Sequence, residues 1–274
     1  MSPARRLVDV WRAVRARAYV RVVGGNREMS WLITEVAIPV LSIAAYVFIY
    51  RSIGAPADYE GLVVVGGAMI PFWMVVLWSM AAQFYWEKEV GNLDLYMASP
   101  MHPFALLLGM ALGGMFMAGV RSAIIVIVGI FFFHVAFQVT SIGLTLLIFA
   151  LTLTALFSMG MAASSVYFLV GRAGIKINVV LMEPIFLLSG VVFPVKNLGM
   201  VLGIIGSIIP LTLGLDGVRQ LLLPSGPALG FLNPSVEAAI LAGMTIVFGI
   251  ASVKFMSMLE ALGKREGRMT LRWQ

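Results

Sequence analysis

The 274-residue chain has no cysteine and little charge, Asp, Glu, Lys and Arg together making up 12%. Without cysteine there is no disulfide to hold a loop, no thiolate nucleophile and no cysteine metal site. His102 and His134 flank one apolar stretch at opposite ends, with no carboxylate cluster at ligand spacing, which argues against a metal centre. Also missing are a Gly-x-x-x-x-Gly-Lys-Ser/Thr phosphate loop, a Gly-x-Ser-x-Gly elbow and a His-Glu-x-x-His helix. The segment "LDGVRQL" has an Asp-Gly pair of the phosphotransferase kind but lacks the second pair of aspartates, so a membrane enzyme is a weak alternative.

What fills the chain is apolar: 61% hydrophobic residues and a mean hydropathy of +0.99. That leaves too little polar side chain to cover a water-facing globule, and the composition describes an all-α, polytopic membrane protein. The net charge of +6 is not gathered beside base-reading or stacking groups, so nucleic acid is not an expected partner.

A hydrocarbon core about 30 Å thick needs about 20 apolar helical residues. Six stretches meet that length, at about 31–50, 62–84, 104–133, 144–170, 177–193 and 236–258. With both termini inside, the inner segments collect Arg5 through Arg27, Lys88, Arg172, Lys176, Lys254 and Lys264 through Arg272, while the outer segments hold Arg51, Lys196 and Arg219. The apolar stretch 198–215 would reverse the carboxy terminus if it crossed. It is therefore expected to belong to a re-entrant outer hairpin, 194–235, broken by Pro210, Pro224 and Pro227. The whole of 1–274 reads as one transmembrane domain of a prokaryotic cytoplasmic membrane.

The amino terminus is expected to be retained, because about 30 residues precede a full-length span whereas a signal peptide has a short basic region and an apolar run of about 7–15. Leu7, Trp11, Val14, Ala18 and Val22 fall on one helical stripe, with Arg5, Arg6, Arg12 and Arg17 on the other side. This predicts an amphipathic helix in the membrane interface within 1–30, its arginines near anionic headgroups and Gly24-Gly25 turning into the first span.

Between the second and third spans lies "EKEVGNLDLYMASP", the most compact polar insert in the chain. By parity 87–102 faces the cytoplasm, with its charges solvated. Gly91 can end one helix, Asn92 can cap another, and Pro100 closes the segment. Leu93, Tyr96 and Met97 share a face, suited either to a protein partner or to folding back on neighbouring helices.

This segment resembles the cytoplasmic segment of the ABC type-2 export permeases, in the form Glu-Arg/Lys-Glu-x-Gly-Thr-Leu-Glu closing on Ser/Thr-Pro. Glu87, Lys88, Glu89, Gly91, Leu93, Ser99 and Pro100 match, with Asn92 and Asp94 as mild departures. "PLTLGLDGVRQLLL" is similar to the family's Pro-x-Thr segment through Pro210, Thr212, Asp216 and Arg219. The resemblance implies a permease subunit of an ATP-binding cassette exporter, not itself an enzyme. It also implies a second permease copy or paralogue and a separate cytoplasmic ATPase that binds ATP and Mg. Glu87, Glu89, Gly91, Leu93, Asp94, Tyr96 and Met97 would then form the coupling helix against the ATPase, and spans one, two and five would face the partner permease.

Intramembrane charge is costly and is a default pointer to function. Glu35 and Glu183 are candidates for the substrate pathway, while Arg121 and Glu35 also read as structural groups. The expected substrate is amphipathic or lipophilic: a drug, a lipid or a lipid-linked compound. An ion-gradient-driven secondary transporter is the main alternative, although no paired inverted repeat is evident.

Overall fold

The computed structural model describes residues 3–25, 29–92, 103–170 and 172–266, and these contain helices and no strand. Helix α1 (Pro3–Gly25) leads to α2 (Met29–Ser52) and α3 (Asp58–Met74), which widens into a π-helix (Val75–Ala81) before α4 (Gln83–Glu89). Two long helices follow, α5 (Pro103–Phe131) and α6 (Ile142–Val170), then α7 (Arg172–Leu188). A 3-10 turn (Val195–Leu198), α8 (Gly199–Gly206), α9 (Pro210–Leu222) and α10 (Gly226–Leu229) connect to α11 (Pro234–Glu266). Helices suit so apolar a chain because each one satisfies its backbone groups internally.

Among the described residues, five helices are long and apolar enough to cross a membrane: Ile33–Ser52, Asp58–Ala81, Ala105–Phe131, Ile142–Ser165 and Pro234–Met258. The span expected at 177–193 takes a different form. Its helix starts earlier and stops at Leu188, 17 residues in all. The chain then turns at Gly190, whose φ of +62° suits glycine. At about 1.5 Å per residue α7 is roughly 25 Å long, and it is not among the five helices named above. The stretch 198–215 is not one helix but α8 and α9, separated by a break ahead of Pro210, where proline is preorganised for the first helical position.

Bonds between loops sort the connections into two ends. Arg51, at the close of α2, donates to Glu60 Oε1 and Oε2 at 2.9 and 2.6 Å and to the Phe133 carbonyl at 2.8 Å. The amides of Gln138 and Thr140 donate to the Leu222 and Leu221 carbonyls, both at 2.9 Å, completing the carboxy-terminal turn of α9. The Tyr50 hydroxyl donates to the Val192 carbonyl at 2.8 Å, and Asp58 accepts from the Ser225 amide at 3.0 Å and from its hydroxyl. The turns near 53–57, 132–141 and 189–233 therefore gather at one end, and α4 lies at the other.

Helix α3 and its π extension occupy the centre, against α2, α5, α6 and α9, with 83% of its span buried inside the chain. The α2 span is only 11% buried, and those of α5, α6 and α11 are between 22% and 28%. The second span is thus enclosed by its own chain, contrary to the expectation that it faces a partner permease. Lipid tails are as apolar as leucine, so close packing supplies what burial from water supplies elsewhere. The Gly67 and Gly129 positions show it: a Cβ there would come within 2.0 Å of Ile43 and 2.4 Å of Val64.

Helix α1 is built onto α5 by the same means. At Gly109 a Cβ would meet the Val14 carbonyl at 2.7 Å and Arg17 Cβ at 2.8 Å, and at Gly113 the Ala18 carbonyl and Arg21 Cβ at 2.8 Å each. Two successive turns of α1 seat on two successive turns of α5, so the helices run side by side in the same direction. Glu35 meets Arg121 further along, and Arg51 meets Phe133 beyond that. The α1 and α2 helices therefore lie end to end along α5.

This packing reassigns the faces of α1. Val14 is 1% exposed and Arg17 turns inward, whereas Trp11 points away from the bundle. A stripe drawn from hydrophobicity alone puts Trp11 inside and Arg17 outside, but glycine seats and carboxylate partners on α5 and α4 decide the rotation.

Replacing Gly109 and Gly113 together by alanine is expected to loosen α1, at a cost on the order of 1–3 kcal/mol. Thermal unfolding and protease cleavage within α1 measure it. Gly243→Ala, where nothing lies within 4 Å of the added Cβ, should leave both unchanged.

Candidate functional site

At the α4 end the geometry centres on Glu87. Its carboxylate pairs with Arg17 of α1 and accepts from Gln83 Nε2 at 2.5 Å and Asn92 Nδ2 at 3.2 Å. Glu87 and Lys88 are buried and Glu89 is exposed. Only part of the charged insert is solvated, then, because α1 covers Glu87. One turn of α1 further on, Arg21 donates to the Ser79 hydroxyl in the π-helix. The extra width of a π turn rotates the residues beyond it. Here Ser79 and Glu87 both reach the same face of α1.

Gly91 closes α4 as a Schellman motif. Its φ is +81°, its amide donates to the Lys88 carbonyl at 3.1 Å, and the Asn92 amide donates to the Glu87 carbonyl at 2.9 Å. Asn92 thus completes the end of α4, and its side chain returns to Glu87. Leu93, Asp94, Tyr96 and Met97 lie outside the described residues.

At the other end, Arg219 of α9 is 4% exposed and donates only to main-chain carbonyls among its described hydrogen bonds. Nε and Nη2 reach the Leu62 carbonyl at 3.1 and 2.7 Å, Nη1 reaches Gly190 at 2.6 Å and Phe193 at 3.5 Å, and Nη2 also reaches Val191. The Gly66 position lets this happen, since a Cβ there would sit 1.9 Å from the Val191 carbonyl oxygen and 2.6 Å from Arg219 Nη2. The guanidinium fork joins α9, α3 and the unwound end of α7, a geometry lysine cannot reproduce.

The other residues of the Pro-x-Thr segment have structural partners close by. Pro210 opens α9, and the Thr212 hydroxyl donates to the Gly206 carbonyl at 2.7 Å, fastening α8 to α9. Asp216 Oδ2 accepts from Gln220 Nε2 at 2.9 Å and from the Phe231 amide at 2.7 Å, which anchors the approach to α11. Beside it is a residue that sequence reasoning missed. Glu237 of α11 is 0% exposed, lies against Asp216, and a Cβ at Gly217 would come 2.6 Å from its Oε2. In sequence it is only an acidic residue in the first turn of a helix, a common surface pattern.

The two candidate pathway carboxylates are treated differently. Glu35 forms an ion pair with Arg121, linking α2 to α5, both side chains being mostly shielded. Glu183 is exposed on α7 beside Pro184. The structure does not bring Glu183 to the Glu35–Arg121 pair.

The sequence that builds these elements matches a known family. The model of the ABC-2 type transporter matches residues 23–223, from the end of α1 to the end of α9. The chain belongs to the ABC-2 type transporter family. A search of curated proteins found no match. This ABC-2 protein is accordingly a multi-pass membrane permease, a transport subunit of an ABC-type transporter. Both ends of the permease described above fall largely inside the matched region, while α1 before residue 23 and the whole of α11 fall outside it.

Arg219→Lys should destabilise the permease nearly as much as Arg219→Ala, by about 3 kcal/mol or more, because buried carbonyls lose their donors in both. The check is thermal unfolding in detergent. A lysine variant as stable as the parent would remove the fork from this account.

Proposed function

We propose that this permease is the membrane-spanning half of an ATP-driven exporter, coupled through the 87–102 segment to a separate cytoplasmic ATPase that binds ATP and Mg. The single observation that carries this reading is the construction of the α4 end. A helix continuing the central span is closed by a Schellman turn at Gly91, and Glu87 fixes it to α1 before the chain enters the segment with Leu93, Asp94, Tyr96 and Met97. A force applied to that segment is delivered to α3, the most enclosed helix of the bundle, and from α3 through the Leu62 carbonyl to Arg219. The α4 end is the cytoplasmic end in this reading, both termini lie on that side of a prokaryotic cytoplasmic membrane, and 194–235 forms a re-entrant hairpin at the outer surface.

A second permease, identical or paralogous, completes the exporter. The α2 and α7 helices offer exposed apolar faces for it, through Ile33, Ile38 and Leu41 on one and Val179, Val180 and Leu187 on the other. Glu183 on α7 then faces the joint between the permeases, where a substrate would pass. Few polar groups line these faces, which favours an amphipathic or lipophilic cargo such as a drug, a lipid or a lipid-linked compound.

The decisive test is to purify the tagged chain gently and identify its partners. An ATPase subunit is expected to accompany it and to be lost when Leu93, Tyr96 and Met97 are together changed to serine, with membrane insertion intact. Purification without any ATPase, with transport driven by an ion gradient, would establish a secondary transporter instead. Replacing Glu183 by glutamine is expected to lower transport several-fold without reducing assembly. Unchanged transport kinetics would take Glu183 out of the pathway.

A further inference from the structure

The face of α1 turned away from the bundle carries Trp11, Arg15 and Tyr19 at successive turns, with Arg12 and Ala16 beside them, and these five residues line a shallow concavity. Trp11 is 58% and Tyr19 68% exposed. The inward arginines Arg17 and Arg21 are engaged by Glu87 and Ser79, so the outward pair is a separate feature. Arg12 has Asp9 at 3.7 Å, but both side chains are more than half exposed and such a contact leaves the guanidinium largely available.

The level of this face follows from the packing. Arg21 lies over Gly113, ahead of the start of α2, so α1 sits along the first turns of α5, about 15 Å of helix from Pro103 to Gly113. The concavity thus lies beside the first turns of the α5 span, which begins at Ala105, the end at which a bundle crossing a membrane would meet the headgroups. Tryptophan and tyrosine concentrate at that depth, and paired guanidinium groups match phosphate oxygens.

We propose that Trp11, Arg12, Arg15 and Tyr19 form a binding site for the phosphate-bearing headgroup of an anionic phospholipid. The arginines hold the phosphate while the aromatic rings lie against the glycerol and upper acyl region, so that lipid fills the outer side of α1 as Gly109 and Gly113 fill the inner side. The assignment is independent of the exporter reading and holds for any mode of transport.

The full-length permease, released from nanodiscs holding equal phosphatidylglycerol and phosphatidylcholine, can be weighed by native mass spectrometry with its lipids attached. Phosphatidylglycerol is expected to be retained several-fold over phosphatidylcholine. The excess should fall to parity in Arg12→Gln/Arg15→Gln and persist in part in Arg12→Lys/Arg15→Lys. Thermal unfolding of both variants checks that the fold is kept, as expected for exposed side chains. Parity in the parent protein, or an excess undiminished in the glutamine variant, overturns the site. If inorganic phosphate alone displaces the bound lipid, the pocket recognises free phosphate and the lipid assignment fails. If the glutamine variant loses a co-purifying ATPase while keeping its lipid preference, the face belongs to a protein partner and the proposal fails.

Discussion

The guanidinium of Arg219 is the point on which the far end of the bundle depends. Four main-chain carbonyls, from Leu62, Gly190, Val191 and Phe193, converge on it. Those beyond α7 belong to residues that have left their helix, and in an apolar setting an unsatisfied carbonyl is costly. Arg219 supplies the donors that irregular backbone at this depth requires. Its charge is spread over several carbonyl dipoles, with Asp216 one turn earlier on the same helix. The short α7, the break before Pro210 and the close approach at Gly66 are compatible with one another because this one side chain is present.

The opposite end is organised around a charge of the other sign. Glu87 collects Arg17, Gln83 and Asn92, so a helix from the start of the chain, the end of the central helix and the residue leading into the next segment meet at one carboxylate. Between the two hubs runs α3 with its π-helical continuation, touched on nearly all sides. An enclosed helix with a polar anchor at each end suits the transmission of a displacement along its axis better than a helix facing lipid. The π turn and the Ala82 turn that follows it depart from regular winding between the anchors, and Arg21 is fastened to the π turn through Ser79.

Much of this was legible in the chain. Five of the six expected spans lie close to observed helices, since long charge-free stretches leave the backbone no alternative to helix in lipid. Gly91 ends its helix as expected, because a glycine after a run of helix formers has an advantage at positive φ. Three kinds of feature were not legible. The end of the fifth span depends on Arg219, far along the chain. The rotation of α1 depends on two glycines some 90 residues away, and the burial of Glu87 depends on that rotation in turn. Glu237 looks like an ordinary first-turn acid until Gly217 and Asp216 close over it.

By itself the sequence determined that this is a helical, multi-pass membrane protein, approximately where its spans run, and the motifs that tie it to the ABC-2 transporters. These follow from composition, from span length set by the bilayer, and from local backbone preference, all of which act over a few to a few tens of residues. The tertiary structure decided which helix is enclosed, which face of α1 is inward, and which charges are partnered: Glu35 by Arg121 and Glu87 by Arg17. Those outcomes rest on whether particular small residues allow two backbones to approach. That is a property of pairs of distant positions, and a hydropathy pattern does not encode it.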